Sequence, residues 1–110
     1  MADIRAVYVM TDLEGVAGID DWDPRHREDA ALARGVRDRE EMARLLTGEV
    51  VAACEGLQAA GVEEILVNDA HGAGRTILVE ELPSGVKIAR GLERPSWGMG
   101  LWPACQALVQ

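Results

Sequence analysis

A chain of 110 residues with a formal net charge of −8, no Phe and few aromatics has room for one domain, or a piece of one, around an aliphatic core. That acidity, with no clustered Lys/Arg run to offset it, argues against nucleic acid and anionic membrane surfaces as partners. No apolar run approaches the roughly 20 residues that span a bilayer, and Met1-Ala2-Asp3-Ile4-Arg5 lacks the basic start and long apolar core of a signal peptide. Cys54 and Cys105 form no C-x-x-C pair, so two reduced, packed thiols in a cytoplasmic protein are expected, not a disulfide framework or a thiolate metal site.

Residues 4–10 read as the first strand, apolar enough to be covered on both faces. Residues 11–19 form a loop in which Gly15 and Gly18 permit positive φ. Asp20-Asp21-Trp22-Asp23-Pro24 reads as a solvated turn, and His26 as a surface histidine. A short helix over residues 29–34, ended by Gly35, is the expectation for the polar stretch that follows.

The clearest helix is predicted over residues 38–60. Asp38 and Glu41 are spaced as an N-cap and its reciprocal partner. Met42, Leu46, Val50, Ala53, Leu57 and Ala60 recur at intervals of three and four, and Gly61 stands as the stop. Gly48 and Gly56 weaken the helix and suggest close packing on a neighbour, Cys54 is expected to pack, and Glu49 and Glu55 to be solvated. Residues 64–68 make the second strand, residues 77–82 a short helix or turn, and residues 86–91 the third strand. Residues 92–103 are irregular, with Trp97 and Trp102 expected to pack, and residues 104–110 approach a fourth strand.

Strand, long helix, strand is a βαβ unit, which makes its two strands parallel. Their C-terminal ends then lie on one edge of the sheet, where open α/β sheets bind ligands. The first end carries Asp12 and Glu14, and the second carries Asp69-Ala70-His71-Gly72. Two carboxylates and an imidazole suit zinc, manganese, cobalt or ferrous iron, with Asp69 placed to orient a ligand or donate a further oxygen.

Thr11-Asp12-Leu13-Glu14-Gly15-Val16-Ala17-Gly18 resembles the (Ser/Thr)-Asp-x-Glu-Gly-x-x-Gly opening of the D-aminopeptidase family of zinc metallopeptidases. Leu46-Thr47-Gly48-Glu49-Val50-Val51-Ala52-Ala53 is similar to that family's helix motif, and Val67-Asn68-Asp69-Ala70-His71-Gly72 to its Val-Asn-Asp-x-His-Gly motif. The resemblance implies an α/β fold, a mostly parallel sheet with flanking helices. It implies two Zn²⁺ ions per complete subunit, a ring-shaped homo-oligomer (a decamer), and hydrolysis of short peptides with an N-terminal D-residue, D-Ala-D-Ala being typical. By motif position Asp12 would bridge the two metals, with Glu14 and His71 as ligands.

Two departures stand out. Val51 takes the place of the family's usual Asn. Family members are also longer, so residues 1–110 are expected to be the N-terminal part of an incomplete domain carrying half of the dimetal site. The remaining ligands and the catalytic residue are expected beyond Gln110. Two other readings fit parts of the pattern. One is a haloacid-dehalogenase-like phosphatase using Asp12 and Mg²⁺, which Glu14 disfavours and which leaves His71 without a role. The other is a non-catalytic, truncated metal-binding or oligomerising domain.

Overall fold

The computed structural model describes residues 3–92 and 101–110. Strands β1 (Ala6–Thr11), β2 (Glu64–Asp69), β3 (Lys87–Ala89) and β4 (Ala107–Val109) form one sheet in the order β3-β2-β1-β4, and every pairing is parallel. The α/β architecture and the parallel sheet expected from the sequence are both present. β1 lies inside the sheet and is buried along almost its whole length, as its unbroken apolar run requires. The edge strand β4 is fastened to β1 by Gln106, whose Oε1 accepts the backbone N–H groups of Arg5 (2.7 Å) and Ala6 (3.2 Å).

The long helix α1 (Ala33–Ala59) connects β1 to β2. Met42, Leu46, Val50 and Cys54 lie four residues apart on one stripe and are buried. They share one apolar cluster with Val7 and Val9 of β1 and with Ile65 and Val67 of β2. Each such side chain, once buried, stabilises the fold by about 1.5–3 kcal/mol. That exceeds the roughly 1 kcal/mol that a helical glycine costs relative to Ala, so packing and not propensity holds α1 together. The helix ends as expected at Gly61, φ 95°. There the N–H of Val62 donates to the Leu57 carbonyl (3.0 Å) and that of Gly61 to the Gln58 carbonyl (3.0 Å), the paired bonds of a Schellman cap.

The start of α1 differs from the expectation. The helix begins at Ala33, after Leu32, which provides no side-chain cap, and Asp38 lies within it. The Asp38 carboxylate accepts instead from Arg27 (2.7 Å), which also binds Asp29 (2.7 Å) and Asp21 (3.2 Å). One guanidinium therefore ties the polar excursion to the first turns of the helix. Gly35 does not end a separate helix: it lies inside α1 against the Asp29 carbonyl, where a Cβ would overlap. Gly48 and Gly56, expected to mark close packing, have no atom within 4 Å of where a Cβ would stand. Glu49, Glu55 and His26 are exposed, as read from the sequence.

β2 runs one residue beyond the predicted strand, through Asp69. The stretch 77–82 holds a single 3-10 turn, Val79–Glu81. Trp97 lies outside the described residues, whereas Trp102 is half-buried. Cys54 is fully buried and Cys105 partly so, and both are free. No helix among the described residues is long and apolar enough to cross a membrane.

Two substitutions separate the two kinds of helical glycine. Gly35→Ala forces the loop off the helix and is expected to lower the urea unfolding free energy by about 1–3 kcal/mol, whereas Gly48→Ala, in open space, raises it by up to about 1 kcal/mol. A second expectation concerns acid. Hydrogen bonds from Arg27 hold the Asp29 carboxyl below its ordinary value. A carboxyl depressed in the fold contributes stability that is complete above its unfolded pKa, about 4, and lost as pH falls through the lower folded value. Thermal melts of Arg27→Ala should therefore show a lower midpoint at neutral pH and a shallower decline between about pH 4 and pH 2 than the parent chain.

Candidate metal centre

Thr11 ends β1 directly opposite Asp69 of β2. Its hydroxyl donates to the Asn68 carbonyl (3.1 Å), which ties the two strand ends together. The residues that leave the sheet next, Asp12 on one strand and Ala70-His71 on the other, start level with each other. Leu13 is 1% exposed and sits in the core cluster, so its neighbours on either side turn out of the core. An apolar residue between two acids is thus what aims both carboxylates at the sheet edge. Gly15, with φ 94°, then reverses the chain.

His71 lies between three carboxylates. Its Nδ1 is 2.7 Å from Asp12 Oδ1 and 3.3 Å from Glu14 Oε2, and its Nε2 is 2.8 Å from Asp23 Oδ2. The imidazole is nearly buried, the Asp12 side chain is 73% exposed, and Asp23 is wholly buried. Gly72, with φ 54°, and a bond from the Gly74 N–H to the His71 carbonyl (2.8 Å) shape the turn that presents the ring.

The three sequence-derived ligand candidates, Asp12, Glu14 and His71, are therefore brought together. One ligand atom from each lies within 4.8 Å of the others, and they form the group of this kind found among the described residues. The arrangement fits a cation on chemical grounds. A carboxylate oxygen and an imidazole nitrogen cannot stand 2.7 Å apart with lone pairs facing each other. Something positive must lie between them, either a proton on Nδ1 or a metal ion. Burial lowers the affinity of the imidazole for its proton, but hydrogen bonds to Asp12 and Asp23 and the charge of Glu14 outweigh it, so the His71 pKa is raised. Oxygen and imidazole donors of this kind match zinc and its borderline neighbours.

Asp69, expected to orient a ligand or donate to the ion, has another task. Its Oδ2 accepts the backbone N–H groups of Thr76 (2.7 Å) and Ile77 (2.8 Å), so it closes the loop that follows His71. Two residues at the site escaped the sequence reading. Asp23, assigned there to a solvated turn, is buried against His71, and Arg25 grips it through Nε (2.8 Å to Oδ2). Burial raises the Asp23 carboxyl, yet hydrogen bonds from Arg25 and His71 more than compensate and hold it well below the usual carboxylate range. The local signal in Asp23-Pro24-Arg25 was the capping pattern: the Asp23 side chain accepts from the Arg25 N–H at the head of a 3-10 turn over Pro24–His26. Nothing local could name His71, which is 48 residues away.

The site opens into a cleft of about 230 Å³ lined by Met10, Thr11, Asp12, Ala70, His71, Gly72 and Gln110. The ends of β1, β2 and β4 all contribute to this cleft because the three strands are parallel.

Among solved structures the chain is similar to the Zn-dependent D-aminopeptidase DppA from Bacillus subtilis, a self-compartmentalizing protease, with a TM-score of 0.74 and 26% sequence identity. That similarity covers 94% of this chain and 36% of the DppA chain. No curated protein sequence matches. A family model, that of the D-aminopeptidase peptidases, matches residues 6–106, a span that includes all three ligand candidates. The chain therefore belongs to the D-aminopeptidase family.

Proposed function

We propose that this chain forms part of a zinc-dependent aminopeptidase acting on short peptides with an N-terminal D-residue, of the D-Ala-D-Ala type. The observation that carries the reading is the meeting of Asp12, Glu14 and His71 at the ends of two parallel strands in a member of this family. Bound zinc would lower the pKa of water to about 7 and polarise the scissile carbonyl.

The roles are those that the family resemblance implies, and the exposure of the three residues is compatible with them. Glu14 and His71 sit deeper and would hold one ion. Asp12 is the most exposed of the three and lines the open cleft, which suits a carboxylate shared between two ions. The proposal assigns the remaining ligands and the catalytic residue of the two-zinc centre to residues outside this chain, which would be the N-terminal part of a longer catalytic unit. A homo-oligomeric ring, decameric by resemblance, belongs to the same proposal and is supported by the self-compartmentalizing character of the similar DppA structure. A cytoplasmic setting belongs to the same proposal and rests on the sequence pattern of two cysteines without a C-x-x-C pair.

Zinc titration against a fluorescent chelator tests the ligands. Asp12→Ala is expected to weaken zinc binding by more than about 100-fold, beyond what the loss of an outer hydrogen-bond partner produces, with the circular dichroism spectrum unchanged. For activity, the longer catalytic unit that contains this chain should hydrolyse D-alanyl-p-nitroanilide and should not hydrolyse the L-isomer. Chelation should abolish turnover and Zn²⁺ restore it. Equal cleavage of both isomers, or activity indifferent to chelation, would sink the assignment. A zinc-loaded, folded longer unit that cleaves neither would establish a non-catalytic metal-binding protein instead.

A further inference from the structure

We infer that Asp23, clamped by Arg25, is the positioning residue of the metal centre: it receives the Nε2–H of His71 and so presents Nδ1 as the metal-facing nitrogen. The inference rests on the metal-centre reading but can be tested separately from it.

Asp23 touches both of the deeper ligand candidates, through different groups. Its backbone N–H donates to Glu14 Oε1 (3.3 Å), and its Oδ2 faces His71 Nε2 at 2.8 Å. A carboxylate with no exposed surface is costly to bury unless it is paired and hydrogen-bonded. The Arg25 guanidinium supplies the pairing: its Nε lies 3.1 Å from Oδ1 and 2.8 Å from Oδ2, and Nη2 binds Oδ2 as well. The Arg25 backbone N–H adds a bond to Oδ1 (2.9 Å). Arg25 also reaches the far side of the histidine turn, where its Nη2 lies 3.4 Å from the position of a Cβ on Gly72. The carboxylate is thus fixed before any ion arrives.

A loop pin alone would need Arg25 and Asp23 but not His71. The second oxygen aimed at Nε2 gives the pair its further role. With Nε2–H donated to Asp23, Nδ1 is left to face Asp12 and Glu14, and the ring cannot flip without breaking a bond to a buried charge. A carboxylate that receives the outer N–H of a ligating histidine sets its tautomer and orientation and makes it a stronger donor.

The chain contains two histidines, and the other, His26, is exposed, so the imidazole ¹⁵N spectrum of the whole protein has a built-in reference. Asp23→Asn keeps an acceptor within reach of Nε2, while Asp23→Ser keeps only the cap on the Pro24–His26 turn. Zinc affinity is expected to fall about 10-fold in Asp23→Asn and about 100-fold in Asp23→Ser, the range for loss of a ligand's outer partner. ¹¹³Cd substitution in the parent protein should show coupling to His71 Nδ1 and a retained proton on Nε2, and that preference should disappear in Asp23→Ser. Should the serine variant fail to fold, the asparagine variant carries the same test. Folded variants that bind zinc within about twofold of the parent, still through Nδ1, would overturn the inference. If the parent binds no zinc, the metal-centre reading fails by itself. The metal-free spectra then decide: a His71 Nε2–H resonance unchanged by either substitution overturns the role of Asp23, and its loss upholds it.

Discussion

Parallel pairing of β1 with β2, in the register that sets Thr11 opposite Asp69, is the constraint on which the site depends. Asp12 and His71 are 59 residues apart in sequence yet hydrogen-bonded. A slip of one residue would turn the apolar set of one strand, Val7 and Val9 or Ile65 and Val67, away from α1. The hydrophobic penalty on that slip is what protects the site geometry, although none of those side chains touches a ligand. The core and the candidate metal centre are therefore two consequences of one alignment.

Charge is the second organising term. The protein is strongly acidic, and its candidate centre gathers Asp12, Glu14 and Asp23 around a single imidazole. Such a group persists only if something positive lies within it. Arg25 supplies one fixed charge behind the site, and the gap between His71 Nδ1 and the carboxylates of Asp12 and Glu14 suits a second, a proton or a metal ion. The net negative balance of the chain is at this edge of the sheet an asset for a cation. Arg27 does for the excursion before α1 what Arg25 does for the site, joining Asp21, Asp29 and Asp38. The polar excursion before α1 is thereby held by two arginines, Arg27 anchored to the helix and Arg25 joined through Asp23 to the histidine.

The elements with strong periodicity were legible. The apolar run of β1, the four-residue stripe of α1, the glycine stop at Gly61 and the βαβ order all follow from side-chain direction and backbone freedom, which are local properties. Asp12, Glu14 and His71 were legible because they flank those elements. The start of α1 was misread because Asp38 and Glu41 carry a cap signature that a distant guanidinium overrides: a carboxylate bound to Arg27 is no longer available to the helix N-terminus. Gly35 and Gly48 look alike in sequence. Only the first lies under another segment's carbonyl, so only the first is required by packing.

The sequence by itself determined the α/β class, the parallel order of the first two strands, the family, and three residues able to hold a metal, because each follows from periodicity, strand–helix–strand connectivity or a contiguous motif. Only the tertiary structure decided that Asp69 closes a loop while Asp23 meets His71. Both are acidic residues beside a turn, and what separates them is which donor each one faces: the Thr76 and Ile77 backbone of its own loop for Asp69, the imidazole Nε2 from 48 residues away for Asp23. Hydrogen-bond partners across 48 residues are set by how the chain packs, and no local pattern encodes them.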